Sequence, residues 1–320
     1  MKKAIGGFFE MEEIGLNADP YHKLESLKLV NGRSALFVLL DYLKPRKVLL
    51  PFYSCDSLLQ PILKLGIPFD YYSVDEGLLP QTGNFEESDF FIFINYFGLL
   101  EKELLAFAAE KNIKNFVVDN TQSFFSRPKD YYAFNSARKF FGVTDGAFLF
   151  LNSEPVSEKL SPSFFNNDFL RLRKDGNLQM SYALYKENEL KQPCGMYQMS
   201  GDSDEILKRL NYSAIADKRK KNFIYLHNNL GSFNTFKFTL SPDTVPFAYP
   251  FVPVKQVQKQ LLYDSGIFFP TLWEEVRAKN IIGFNWERKL SSYLIPLPID
   301  HRYSLEDMDY IIKHILNQLK

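Results

Sequence analysis

Residues 89–95, Asp-Phe-Phe-Ile-Phe-Ile-Asn, form an uninterrupted apolar run of strand length closed by an acid at one end and an amide at the other. A strand apolar on both faces has no side to turn toward water, so it belongs in a sheet covered above and below. Residues 47–51, 69–74 and 115–119 (NFVVD) read as strands too, the first and last of them as buried ones. Between these runs lie segments with helical spacing: 31–43 (NGRSALFVLLDYL), 57–65, where Pro61 falls early enough to be tolerated, and 102–111. Alternation of this kind predicts an α/β fold with a mostly parallel sheet flanked by helices. Its right-handed crossovers would line the functional loops along the carboxyl edge of the strands. Asn95 and Asp119 both stand at such strand ends.

The second half is less regular. Residues 160–200 are mixed and polar, with one helix expected near 182–190, and 204–230 reads as a long basic helix of the sort that bridges two domains. Strand-like pieces at 236–240 and 248–254, a helix at 257–265 and a last helix at 304–319 make a smaller α+β unit. The expected organisation is a large α/β domain over 1–205 and a small C-terminal α+β domain over 206–320.

Charge narrows the function. The 38 basic and 38 acidic residues cancel, so no global field draws the chain to nucleic acid or to an anionic membrane. Cys55 and Cys194 are the only cysteines, far apart and without CxxC spacing, which excludes a zinc ribbon or a disulfide framework. The four histidines are scattered, so no metal site is expected. No apolar run is long enough for a signal peptide or a membrane span. A cytoplasmic protein that handles small molecules is the expectation.

The chemistry-bearing residues follow the 115–119 strand. Asp119-Asn120-Thr121-Gln122 precedes Ser136-Ala137-Arg138-Lys139-Phe140-Phe141-Gly142-Val143-Thr144-Asp145-Gly146-Ala147. A lysine amine can hold pyridoxal 5′-phosphate (PLP) as a Schiff base and later shuttle a substrate α-proton. A carboxylate beside the pyridine nitrogen keeps that ring protonated as an electron sink, and a strand-end Asp suits the task. The ordinary reading makes Lys139 one of 38 basic residues and Asp119 a routine strand-end acid. Order and framing together favour the functional reading, with Ser136 placed to put a hydroxyl on the cofactor phosphate. Gly32-Arg33-Ser34 at the start of the first helix offers N–H groups and a hydroxyl as a phosphate cradle, or an ordinary helix cap.

With these elements in view the chain resembles the DegT/DnrJ/EryC1/StrS family of sugar aminotransferases, PLP enzymes of fold type I. Gly32-Arg33-Ser34-Ala35-Leu36 is similar to the family's Gly-Thr-Ser-Ala-Leu, and Val118-Asp119-Asn120-Thr121-Gln122 to its Glu-Asp-Ala-Ala-Gln. Lys139-Phe140-Phe141-Gly142 and Thr144-Asp145-Gly146-Ala147 correspond to its Lys-Asn-Leu-Gly and Gly-Asp-Gly-Gly. The resemblance is dense over 30–150 and sparse beyond. It implies Asp119 on the pyridine nitrogen, Gln122 on the 3′-oxygen, and Ser34 and Arg33 on phosphate. It also implies amino transfer from an amino acid such as glutamate to a keto sugar nucleotide or related metabolite, carried out by a homodimer.

There are departures. Phe134 replaces the family's serine five residues before the lysine, and Cys55 aligns with its ring-stacking aromatic, for which Tyr53 is the nearest substitute. The family's Gly-x-Asn-x-Arg element has no counterpart near 194–200. The alternative is therefore a non-catalytic or regulatory PLP-fold protein, or a PLP enzyme of another reaction type. Ser136-x-x-Lys139 also fits a serine–lysine acyl enzyme, but that chemistry needs Ser-Asp-Asn and Lys-Thr-Gly companions, and the chain has neither.

Overall fold

The computed structural model describes residues 4–12, 26–81, 83, 85–151 and 160–319. In chain order it begins β1 (Ile5–Gly6), β2 (Leu27–Leu29), α1 (Gly32–Leu43), β3 (Val48–Pro51), α2 (Asp56–Lys64), β4 (Phe69–Val74), β5 (Pro80–Gln81) and β6 (Phe90–Ile94). Then come α3 (Glu101–Glu110), β7 (Phe116–Asn120), β8 (Tyr132–Asn135) and β9 (Ala147–Phe150). Eight of these strands form one sheet in the order β2-β9-β8-β7-β6-β3-β4-β5. The pairings from β4 through β3, β6 and β7 to β8 are parallel, and β9, β2 and β5 add antiparallel edges. The α/β expectation holds. All five residues of β6 are buried, as the two-faced apolar run requires.

The rest of the chain supplies α4 (Asp168–Lys174), α5 (Leu178–Leu190), α6 (Gly201–Leu207), α7 (Tyr212–Leu230), β10 (Tyr249–Phe251), α8 (Lys259–Asp264), β11 (Ile267–Phe268), α9 (Glu274–Ala278), α10 (Asn285–Tyr293), β12 (Ile295–Leu297) and α11 (Leu305–Leu319). Two small sheets join β10 to β12 and β1 to β11. The helix expected over 204–230 is divided into α6 and α7, because the Asn211 side chain accepts from the Ala214 N–H and starts a new helix there. Residues 236–240 alternate like a strand but join no ladder; Phe238 packs beside Phe223 and Tyr249 instead, with Phe236 against Phe238. Pro61 lies at the sixth position of α2, past the first turn, where it removes one backbone hydrogen bond while its ring is buried.

Residues 5–12 form a strap that crosses the large sheet's functional edge. Glu10 receives both Arg173 and Arg302, whose guanidiniums also stack over Phe8 at 4.5 Å and Phe9 at 4.2 Å. Next along the strap, Glu12 accepts from the Gly142 N–H at 2.8 Å and meets His301 Nε2 at 3.3 Å. The strap is thereby fastened to the loop that carries Lys139.

Candidate active site

β3, β6, β7 and β8 end at the same edge of the sheet, and the residues singled out in the sequence follow them. Beyond β8, Ser136 leads into a single tight turn, Ala137–Lys139. The Phe140 and Phe141 N–H groups both donate to the Ala137 carbonyl at 2.9 Å, and Ala137 N–H donates to Gly146 O at 2.9 Å. Phe140 and Phe141 are fully buried; Phe141 meets Phe124 at 4.8 Å and Tyr212 at 5.4 Å between ring centres. Arg219, itself buried in α7, stacks over Phe140 at 4.5 Å and donates to its carbonyl at 3.3 Å. The backbone on both sides of Lys139 is therefore locked while its half-buried side chain stays at the edge.

The Lys139 amine donates to Thr121 Oγ1 at 3.0 Å. Asp119, next to last in β7 and only 6% exposed, accepts from the Thr121 N–H at 2.8 Å. Burial pushes the Asp119 carboxyl above the usual range, while the Lys139 charge and the Thr121 N–H and hydroxyl pull against that rise. The structure thus brings Lys139 and Asp119 into one electrostatic neighbourhood, 20 positions apart in sequence. Gly32 joins them: a Cβ there would lie 3.1 Å from the Thr121 methyl and 3.4 Å from the Phe134 ring.

The other expected residues divide by exposure. Arg33 is half-buried and donates to two neutral acceptors, Gln60 Oε1 at 3.2 Å and the Gln192 carbonyl at 3.4 Å. Ser136 makes no capping bond with its side chain. Ser34 lies deeper: its N–H is held by the Asn31 side chain at 2.9 Å, and its fully buried hydroxyl has no partner. Gln122 is also enclosed, its Oε1 taking the Phe97 N–H at 2.8 Å and pinning a turn in which Phe97 has a φ of 58°.

Tyr53 corrects the expectation placed on it. A side chain that stacks on a ligand ring must show a face when no ligand is present, and Tyr53 is 0% exposed. Its ring lies 5.1 Å from Trp273 and 5.6 Å from Tyr96, and its hydroxyl has no partner. Cys55, two residues on, is half-buried at the start of α2, and its thiol feels both Lys139 and Asp119. Burial pushes that thiol up, with the lysine pulling it down.

Two side chains at this edge escaped the sequence reading of roles, Cys55 and Thr121. Their one signal was position: Cys55 lies in the turn between β3 and α2, and Thr121 two residues after Asp119. Asp145 carries a different duty: it is fully buried and accepts from Ser200 N at 2.7 Å, from Ser200 Oγ at 2.5 Å and from Ser203 Oγ, tying the loop after Lys139 to α6. Arg138 is paired with Glu189. A cavity of about 420 Å³ beside α5 and another of about 630 Å³ near Phe69 and Phe284 do not include Lys139. The chemistry sits on an open edge, and neither of those hollows gathers a comparable set of reactive side chains.

No family model matches the chain, and no curated protein matches it in sequence. Its fold has clear counterparts among solved structures. The sugar aminotransferase CalS13 from Micromonospora echinospora superposes with a TM-score of 0.63 at 14% identity, over 91% of this chain and 86% of that one. A DegT DnrJ EryC1 StrS aminotransferase from Brucella abortus gives 0.63 at 15% identity, over 91% and 85%. Spr1654 from Streptococcus pneumoniae in its PLP form gives 0.62 at 13%, over 90% and 85%. At such identities the likeness establishes the fold, the aminotransferase type expected from the sequence.

Proposed function

We propose that this chain is a PLP-dependent aminotransferase of the DegT/DnrJ/EryC1/StrS type, moving an amino group from an amino-acid donor, glutamate first among candidates, to a keto sugar nucleotide or related metabolite. The observation that carries the reading is the meeting of Lys139 and Asp119 at the carboxyl edge of the parallel sheet, the place where open α/β sheets bind ligands. The aminotransferase fold and the PLP form of one structural neighbour support it.

The residues present fit the cofactor. The lysine amine donates to a neutral hydroxyl, the acid beside it is nearly buried, and the Ser136 side chain makes no cap bond. PLP would supply the electron sink that lets a substrate α-proton leave. Lys139 would hold the aldehyde carbon and move that proton at Nζ, and Asp119 would keep the ring nitrogen charged by its opposite charge. Arg33, Ser136 and the Gly32 backbone are the groups for the phosphate, with Ser34 and Gln122 in the layer that supports them. Cys55 takes the place assigned to Tyr53 beside the ring.

A homodimer in the cytoplasm is part of the same reading. Met180, Tyr182 and Leu190 of α5 and nearby Phe164 are more than half exposed and offer apolar surface for an isologous contact. No described helix is long and apolar enough to cross a membrane.

The test is a half-reaction. Glutamate added to the PLP-loaded protein should replace the visible band with the near-ultraviolet band of the amine form, and 2-oxoglutarate should restore it. If no amino acid produces that change, the transaminase assignment is wrong.

A further inference from the structure

Thr121 is the residue through which Lys139 and Asp119 meet, and neither the cofactor reading nor the sequence gave it a role. Its hydroxyl oxygen accepts from the Lys139 amine at 3.0 Å. Its backbone N–H donates to Asp119 Oδ1 at 2.8 Å, so one residue holds both groups. A hydroxyl has two lone pairs to offer, so it can serve the amine. The Gly32 backbone runs close to its methyl, near enough that a Cβ added there would sit 3.1 Å from it. A β-branched side chain confined there has little freedom at χ1.

From this geometry we propose that Thr121 is a positioning residue, whose hydroxyl takes the Lys139 amine while its backbone N–H holds the Asp119 carboxyl in the cofactor-free protein, and which so keeps the two from closing on each other as a direct ion pair. The inference rests on the proposed function, in which Lys139 must reach the aldehyde carbon while Asp119 faces the ring nitrogen. Those two atoms lie at opposite ends of the pyridine ring. A direct Lys139–Asp119 pair, partly buried, would have to be pulled apart before the ring could enter, and separating a buried pair is far costlier than exchanging one neutral hydrogen bond. With Thr121 between them, the amine gives up one bond to a neutral oxygen and is free to attack. Asp119 meanwhile keeps its backbone N–H partner.

The readout is cofactor capture, which needs no turnover. Full-length protein stripped of PLP is mixed with PLP, quenched with borohydride at intervals, and the fraction of Lys139 carrying the reduced adduct is measured by peptide mass spectrometry. Wild type and Thr121→Ser should link PLP to Lys139 at similar rates. Thr121→Val, which keeps the shape and replaces the hydroxyl with a methyl, should be slower on the order of tenfold, the equivalent of about one hydrogen bond. Thr121→Ala makes the same comparison should the valine variant fail to fold.

Capture by Thr121→Val or Thr121→Ala as fast as wild type overturns the bridge. A serine variant as slow as the valine variant also overturns it, since methyl packing would then be the cause. Wild type that forms no adduct at Lys139 is a separate result, and it brings down the proposed function together with this inference.

Discussion

Gly142→Ala tests how the strap and the Lys139 loop are joined. A Cβ at Gly142 would overlap the Glu10 carbonyl oxygen outright, lie 2.8 Å from its carbonyl carbon and 3.1 Å from the Glu12 nitrogen. These neighbours are backbone atoms, so no side-chain rotation relieves the clash, and residues 8–12 have to lift away. Lifting stretches the bond from Gly142 N–H to Glu12 Oε1, which is worth about 1.5–3 kcal/mol because its acceptor is charged. Overpacking itself costs about 1–3 kcal/mol. The two share one displacement and do not simply add, so the expected loss is about 2–5 kcal/mol. Urea unfolding followed by far-UV circular dichroism measures it, and limited proteolysis should begin within residues 8–12. Gly201→Ala is the control, since nothing lies within 4 Å of that Cβ; its change should stay within about 0.5 kcal/mol. A Gly142→Ala protein as stable as this control would refute the close crossing of strap and loop.

Asp119→Asn should stabilise the cofactor-free protein, and more so as pH rises. Burial raises the folded-state carboxyl above its unfolded value, so the wild type's contribution from this group is fully present below the ordinary carboxylate range and is lost as pH climbs through the raised folded value. The asparagine lacks that loss, so the Tm difference across pH 4–8 should widen upward; a difference that narrows would contradict the assignment. Arg219→Lys should cost about 2–4 kcal/mol in urea unfolding, because one ammonium cannot replace a guanidinium that donates to the carbonyls of Phe140, Pro246 and Phe247. A loss under 0.5 kcal/mol, on the order of an ordinary surface change, would deny Arg219 its anchoring role. Light scattering should give twice the 37.3 kDa chain mass for PLP-loaded protein; a monomer with cofactor fully bound would rule out the dimer.

Much of the sheet could be read in advance because its central strands are two-faced. β6 and β7 announce themselves through apolar runs that no amphipathic helix would carry. β8 and β9, four residues each, lie inside the motif region and were not read as strands; the sheet pairings identify them. Residues 236–240 mislead in the other direction, because an alternating pattern reports which side chains are buried and not whether a partner strand exists. Asp119 stood out because it closes a recognisable strand, and Lys139 because it carries its chemistry in its residue type within the 136–147 motif. Thr121 and Cys55 did not, since a threonine and a cysteine gain meaning here only from what the turns after β7 and β3 place beside them. Tyr53 was chosen only as the aromatic nearest to Cys55, the aligned position, and it packs inward against Tyr96 and Trp273.

The proposed chemistry depends most on Lys139 holding the cofactor while Asp119 governs its ring nitrogen. The direct measurement is the visible absorption spectrum of PLP-saturated, desalted protein, recorded for wild type, Lys139→Ala and Asp119→Ala. Wild type should be yellow, and Asp119→Ala should keep a band close to wild type because linkage needs only the amine, although its turnover falls by orders of magnitude. Lys139→Ala should lose the covalently held band altogether. A Lys139→Ala protein that keeps the wild-type band, and that after borohydride reduction and denaturation still carries a covalent pyridoxyl adduct, would place the cofactor on another lysine and contradict the site described.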